Sequence, residues 1–328
     1  MAECGILYLV ATPIGNLEDM TYRAVRILSE VDLIAAEDTR GSIRLLNHFE
    51  IRTPMTSYHE YNKVSKAKTL IETMLGGKNV ACITDAGTPG ISDPGEVLVQ
   101  MALDHGIRVV PVPGACAAVN ALICSGQGTR RFCFEAFLPA EKKERDLILE
   151  ELKEETRTIV VYEAPHRILR TLELLAAALG GRSVTICREL TKKHEEIRRT
   201  TLPEAVRYYE ENEPRGEFVL VVAGKDRREL IRERQDEIRG SLSLEEHMKQ
   251  YLDQGLEKKE AMKAVAKDRG MTKREVYSQL LGESQELHSR MNRRFPECMI
   301  PIRGQDLSFV LPLTGKPDAS GTKTQIRP

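Results

Sequence analysis

Short apolar runs alternate with stretches whose apolar residues recur every three or four positions, and this rhythm covers the first two thirds of the chain. The runs at 6–11, 31–36, 55–58, 80–84 and 108–112 predict strands. Thr21 is placed to cap a helix that carries Ala24, Val25, Leu28 and Val31 on one face. A second helical pattern covers 62–75 and stops at Gly76-Gly77. Near-continuous apolar strands separated by helices imply a parallel sheet covered on both faces. In such sheets ligands bind beyond the carboxyl ends of the strands. The segments TPIGN, AEDTR, SYHE, TDAGTPGISD and PVPGA all follow predicted strands, so they gather on that one edge.

A second αβ region begins after Gly126-Gln127-Gly128, with strands expected at 132–134, 158–162, 183–187 and 218–223. Helices are expected at 141–155, 165–179 and 203–213. Past Gly224 the pattern turns charged and purely helical. Ser243 with Glu246 and Thr272 with Glu275 form capping boxes, and Gly255 and Gly270 suit helix ends. Three short helices follow, at 244–254, 257–269 and 273–281. The division expected is therefore 1–118, 119–226, a helical segment 227–282 and a polar, flexible tail 283–328.

Of the 328 residues 41% are hydrophobic and 30% charged, which fits a soluble globular protein of about two domains. No apolar run is long enough for a membrane span, and the N-terminus lacks a signal-peptide pattern. Seven cysteines stand singly without a CxxC pair, which suggests reduced thiols and a cytoplasmic location. A net charge of −1 argues against a general grip on nucleic acid, so any RNA contact must be local. GxGxxG after the first strand, GxxxxGK[ST], HExxH and GxSxG are all missing. Dinucleotide, P-loop, zinc-hydrolase and serine-hydrolase chemistry therefore have no support, and no metal is expected.

The richest segment is DAGTPGISDPG at 85–95. Three glycines, two prolines and two carboxylates follow a buried strand there, a composition that brings main-chain groups close to a small ligand. Pro113 to Ala118 opens a helix with small residues, leaving its first N–H groups approachable. Glu37-Asp38-Thr39-Arg40 concentrates charge at a strand end. Tyr162 to Arg167 ends a strand and enters a helix, and Arg188 to His194 clusters cations suited to phosphates.

Taken in order, LVATPIGNLED, VDLIAAEDTR, DAGTPGISDPG, VVPVPGA, YEAPHR and CRELTKKHE resemble the RNA-modifying branch of the tetrapyrrole-methylase superfamily, the class III S-adenosylmethionine methyltransferases. The branch concerned is that of the bacterial small-subunit ribosomal RNA (cytidine-2′-O)-methyltransferases, and the resemblance spans about 5–224. It implies an α/β fold of two αβ domains with S-adenosylmethionine in the cleft between them, a small C-terminal three-helix segment, and a homodimer. By the same resemblance Pro13 and Gly15 match the first cofactor loop. Asp85, Ala86, Gly87, Thr88 and Ser92 match the main one, and Pro113, Gly114 and Ala115 the loop after the fifth strand. Two departures stand out. Gly90 occupies a place where a larger apolar residue is common, which would loosen the loop, and Ala136 replaces a frequent glycine.

The implied reaction is methylation of a cytidine ribose in the decoding region of 16S ribosomal RNA, on the RNA or the small subunit. A positioned base would help the 2′-hydroxyl attack. Glu37, Asp38, His59, Glu163 and His166 are the candidates, unranked. Arg40, Arg167, Arg188 and Lys192 would hold phosphates. Residues 241–282 carry eight Lys/Arg against seven Asp/Glu, yet Lys258, Lys259, Lys263 and Lys267 could line one helical face toward RNA. Two other classes stay open: a methyltransferase acting on a tetrapyrrole, and a non-enzymatic regulator that senses S-adenosylmethionine and reads DNA through its three helices.

Overall fold

The computed structural model describes residues 4–281; the expected tail 283–328 lies outside them. The described residues form ten strands: β1 (Ile6–Val10), β2 (Leu33–Ala36), β3 (Met55–Ser57), β4 (Val80–Ile83), β5 (Arg108–Val112), β6 (Phe132–Phe137), β7 (Thr158–Glu163), β8 (Ser183–Arg188), β9 (Glu196–Thr201) and β10 (Phe218–Val222). The helices of the first half are α1 (Tyr22–Glu30), α2 (Thr39–His48), α3 (Lys63–Leu75), α4 (Gly95–Asp104) and α5 (Ala117–Ser125). Those of the second are α6 (Lys142–Lys153), α7 (Ile168–Leu179), α8 (Leu202–Glu211), α9 (Arg227–Ser241), α10 (Leu244–Asp253) and α11 (Lys258–Asp268), and 273–281 is also helical.

The first sheet has the order β3-β2-β4-β1-β5 and every pairing in it is parallel. Parallel pairing forces each connection to cross a face, so helices cover both sides. One face holds Leu7, Ala35, Tyr58, Leu70, Met74, Cys82 and Leu98, and the other Val10, Leu28, Ile34, Ala36, Ala81 and Ile83. All five strands end on one edge, which gathers the loops picked out above.

The second sheet has the order β6-β7-β10-β8-β9 and is mixed: β6 and β7 run parallel and the remaining pairs antiparallel. Strict alternation along β10 divides its side chains. Phe218, Leu220 and Val222 join the core of α6, α7 and α8, whereas Val219 and Val221 face α5 and Ile14. Among the described residues α5 is the helix packed on that second face, and part of the face lines a cavity.

The expected caps are found. The Thr21 hydroxyl accepts from Ala24 N–H, and Ser243 and Glu246 cap α10 reciprocally. Val31 ends α1 instead of starting a strand, its N–H bonding Ile27 O, so β2 begins two residues later. The pattern passes over α2 and β9, and α9 falls inside the expected helical segment 227–282 without bounds of its own. Helix α2 buries only Ser42 and Leu46 and carries Gly41, and α9 buries nothing, so neither presents an apolar period. Strand β9 reads as a charged loop because it is an edge strand, where charge is tolerated; the Arg198 guanidinium lies 3.9 Å from the centre of the Tyr208 ring.

Residues 4–234 and residues 235–281 are separate compact units. The second has its own core of Leu244, Met248, Ala261, Val265, Ala266 and Val276, with Arg269 buried beside it and bonded to His247 Nδ1 at 3.1 Å. No helix among the described residues is long and apolar enough to cross a membrane.

Candidate functional site

The loop after β4 is stitched to its neighbours by main-chain bonds. Thr12 N–H donates to Gly87 O at 2.8 Å, and Gly87 N–H returns a bond to Thr12 O at 3.1 Å. The Thr12 hydroxyl reaches Thr84 O and the Thr88 hydroxyl reaches Ala115 O. Thr84 Oγ1 donates to Glu37 Oε2 at 2.8 Å, and Asp38 N–H donates to Asp85 Oδ1 at 2.9 Å. The ends of β1, β2, β4 and β5 are therefore held in one frame. Gly87 sits at φ 87°, where a Cβ would come within 3.2 Å of Ile14 Cγ2. Gly90, at φ 85° with open space around it, is suited to its turn, and the Asp93 carboxylate accepts from the N–H groups of Gly90 and Gly95. Far from loosening the loop, a glycine at 90 meets a backbone that favours glycine.

A cavity of about 460 Å³ opens between this frame and that face of the second sheet on which α5 packs. Among the expected residues, Asp85, Ala86, Gly87, Thr88 and Ser92 line it, as do Glu37 and Glu163. Ile14 lines it between Pro13 and Gly15, which do not. Pro113, Gly114 and Ala115 do not line it either; in the loop after β5 it is Cys116 and Ala117 that do. The opposite wall is Phe137, Tyr162, Cys187 and Val219, none of which was expected at the site. Cys187 and Val219 read as core in the sequence, being strand residues. The signal present was Tyr162 in the YEAPHR segment. Its hydroxyl accepts from Ala118 N–H at 3.0 Å, and burial pushes its pKa up to about 12. The Cys187 thiol is likewise raised by burial to about 12, which keeps it protonated and unreactive.

Every charged side chain of this lining is a carboxylate: Glu37, Asp85, Asp93, Glu163 and Glu217. Three of them are committed elsewhere. Asp93 caps its turn and Glu217 holds Lys192 at 2.9 Å. Glu163 is fully buried, with Oε1 bonded to Ala164 N–H and 3.3 Å from Arg167 Nε, and Oε2 accepting from the Thr171 hydroxyl. Glu37 and Asp85 each keep one oxygen without a bond among the described residues. Partial desolvation lifts Asp85 above the usual carboxylate range; the bond from Asp38 N–H opposes this and the nearby Glu37 and Asp38 charges add to it.

The remaining expected residues lie off the cavity. Asp38 caps α2 by accepting from Arg40 N–H, which holds its carboxyl below the usual range. His59 has Nε2 3.3 Å from Asn62 Nδ2 and a buried Nδ1 without a partner, and His166 is exposed. Arg40 is an exposed side chain beside Asp38. Arg167 is spent on Glu163 and on Leu138 O, and Arg188 on Glu196 at 3.1 Å. Lys192 pairs with Glu189 and Glu217, and its stem crosses Gly15 so closely that a Cβ there would stand 2.3 Å from Lys192 Cγ.

Residues 6–206 match the family described as Tetrapyrrole (Corrin/Porphyrin) Methylases. The chain is similar to Ribosomal RNA small subunit methyltransferase I of Halalkalibacterium halodurans, with 51% identity over 274 residues, 84% of this chain and 94% of the relative. The protein of the same name from Bacillus subtilis is 49% identical over 276 residues, again 84% of this chain and 94% of the relative. Among solved structures, diphthine synthase superposes with a TM-score of 0.54 at 14% identity, covering 67% of this chain and 90% of that one. The methyltransferase CobJ gives 0.52 at 19%, covering 67% and 94%. At such identities these two likenesses speak for the fold alone.

Proposed function

The chain belongs to the tetrapyrrole (corrin/porphyrin) methylases, and from that footing we propose that it transfers a methyl group from S-adenosylmethionine to the ribose 2′-hydroxyl of a cytidine in the decoding region of 16S ribosomal RNA. The observation that carries the reading is the charge of the cavity. Its lining holds carboxylates and no cation, the environment a sulfonium with an ammonium group calls for and a polyphosphate does not.

The donor set fits such a cofactor. Residues 85–88 line the cavity together with Cys116 and Ala117, and Asp85 offers a carboxylate oxygen without a bond among the described residues. When bound, the cofactor supplies an electrophilic methyl group. Asp85, Ala86, Gly87, Thr88 and Ser92 would hold it in one orientation, and alignment of two reacting atoms is worth roughly 7–11 kcal/mol in favourable cases. Of the five candidates for the base we favour Glu37. It lines the cavity, one oxygen is fixed by Thr84, and the other is free to take the hydroxyl proton. Glu163 is a positioning residue that anchors α7.

Arg40, exposed at the end of β2, is the phosphate contact we retain; Arg167, Arg188 and Lys192 hold carboxylates of their own chain. Lys259, Lys263 and Lys267 fall on one exposed stripe of α11, and we assign them to RNA docking. We read the αβ part as two domains meeting near residue 118, followed by a helical segment, and the working form as a cytoplasmic homodimer. Light scattering on the purified protein tests the last point.

The function is tested by incubating the protein with methyl-tritiated S-adenosylmethionine and small ribosomal subunits from cells lacking it, in parallel with a polycarboxylate tetrapyrrole. Label in the ribosomal RNA is expected. Label in the tetrapyrrole, or in neither, would overturn the reading.

A further inference from the structure

Strand β6 carries a local defect in its pairing with β7. Phe134 pairs with Val160 and Phe137 with Tyr162, so β6 spends three steps where β7 spends two. In a regular strand residues three apart point to opposite faces. The extra residue of the bulge puts both Phe134 and Phe137 on the face of Val160 and Tyr162, and both rings meet Tyr162 edge-on, at 4.9 and 5.7 Å between centres. Without the bulge Ala136 would oppose Tyr162 and Phe137 would turn away. The arrangement is held at a cost, since Ala136 adopts φ 50°, a left-handed conformation unfavourable for a residue with a Cβ.

The strained bulge thus replaces a methyl group in the cavity wall with a benzyl ring. Phe137 remains 47% exposed, on the edge strand of the second sheet, while the deeper wall residues Cys187 and Val219 are buried. Behind it Tyr162 is fixed by its bond to the start of α5, so the ring has a firm backing.

We propose that Phe137 is the stacking surface for the base of the acceptor nucleotide, splayed out of its RNA strand as the ribose hydroxyl enters the cavity. The inference rests on the RNA reading given above. A half-exposed aromatic ring offers a flat apolar face to a nucleobase, and unstacked bases of single-stranded RNA are commonly held in this way. Phe137 lines the cavity from the second sheet, whereas the loop of 85–92 assigned to the cofactor lines it from the first. Phe137 acts by positioning and takes no part in bond making.

Steady-state methylation of small subunits by the full chain, with calorimetric S-adenosylmethionine binding in parallel, tests this on Phe137→Ala, Phe137→Leu and Phe137→Trp. The Ala and Leu variants are expected to raise KM for the subunit roughly 5- to 150-fold, with cofactor affinity within about twofold of wild type; Trp keeps KM near wild type. Retained cofactor binding also certifies that each variant is folded. Unchanged KM in the Ala variant, a Leu variant as good as Trp, or a loss confined to cofactor affinity would each overturn the assignment; the last would give the ring to the adenine of the cofactor. A wild-type protein that methylates no RNA would instead bring down the parent reading, and this inference with it.

Discussion

Asp85 and Glu37 are two carboxylates of one sheet edge with different work. Asp85→Asn keeps an acceptor for the Asp38 amide and removes a charge from the wall. We expect cofactor affinity to fall roughly tenfold by calorimetry, since a charge-assisted contact is lost. Because the folded-state pKa of Asp85 is raised, the folded protein holds this proton to higher pH than the unfolded chain, whose aspartate titrates near the usual 3.8. Wild-type stability therefore gains as pH falls through that window. The Asn variant should melt slightly higher than wild type at pH 7 and lose the difference at the acid end, as thermal melts across pH would report. In wild type, cofactor affinity should decline on acidification at a pH above that of an ordinary aspartate. Glu37→Gln should leave cofactor binding intact and lower kcat by about 10²- to 10⁴-fold in single-turnover methylation, the usual range for a lost general base. At Ala136, glycine removes a left-handed penalty of about 1–2 kcal/mol and returns about 0.5–1 through unfolded-state entropy. Denaturant unfolding of Ala136→Gly should show a net gain of about 0.5–1 kcal/mol.

At the scale of elements, the junction of β7 and α7 hangs on Glu163. Its buried carboxylate holds Ala164 N–H, the Thr171 hydroxyl and Arg167 at once. Glu163→Ala leaves those partners unmatched, and urea unfolding should show a loss of about 2–4 kcal/mol. The strands of the first sheet were legible in the sequence because burial on both faces leaves an unbroken apolar run, as in Val80–Ile83. The loops of its carboxyl edge were legible for the opposite reason: Asp85 to Gly95 has too few large side chains to be core. Helix α2 was hidden by Gly41 and Ser42, and β9 by its arginines, since tertiary contacts override weak local pattern. Of the second wall the YEAPHR segment alone was marked in the sequence. Cys187 and Val219 carry the same pattern whether they face a helix or a void, and the bulge that turns Phe137 inward is a property of the backbone.

For the whole molecule, a near-neutral chain handling a polyanion must confine its cations to particular places. In the αβ part Arg167, Arg188 and Lys192 brace their own chain against carboxylates, which leaves Arg40 exposed, and in the helical unit Lys259, Lys263 and Lys267 are exposed together. Replacing these three lysines by alanine should leave cofactor binding unchanged. It should also flatten the dependence of log K for RNA on log salt by about 2, near 0.7 per lost single-strand phosphate contact. An unaltered slope would assign the stripe to another task. The most direct test of the account as a whole is mass spectrometry of nucleosides from small-subunit RNA treated with the protein and S-adenosylmethionine, the RNA taken from cells lacking the protein. A single 2′-O-methylcytidine per subunit, absent when Glu37→Gln is used, is the result predicted. A methyl group on a base, on a different nucleoside, or on no RNA at all would contradict it.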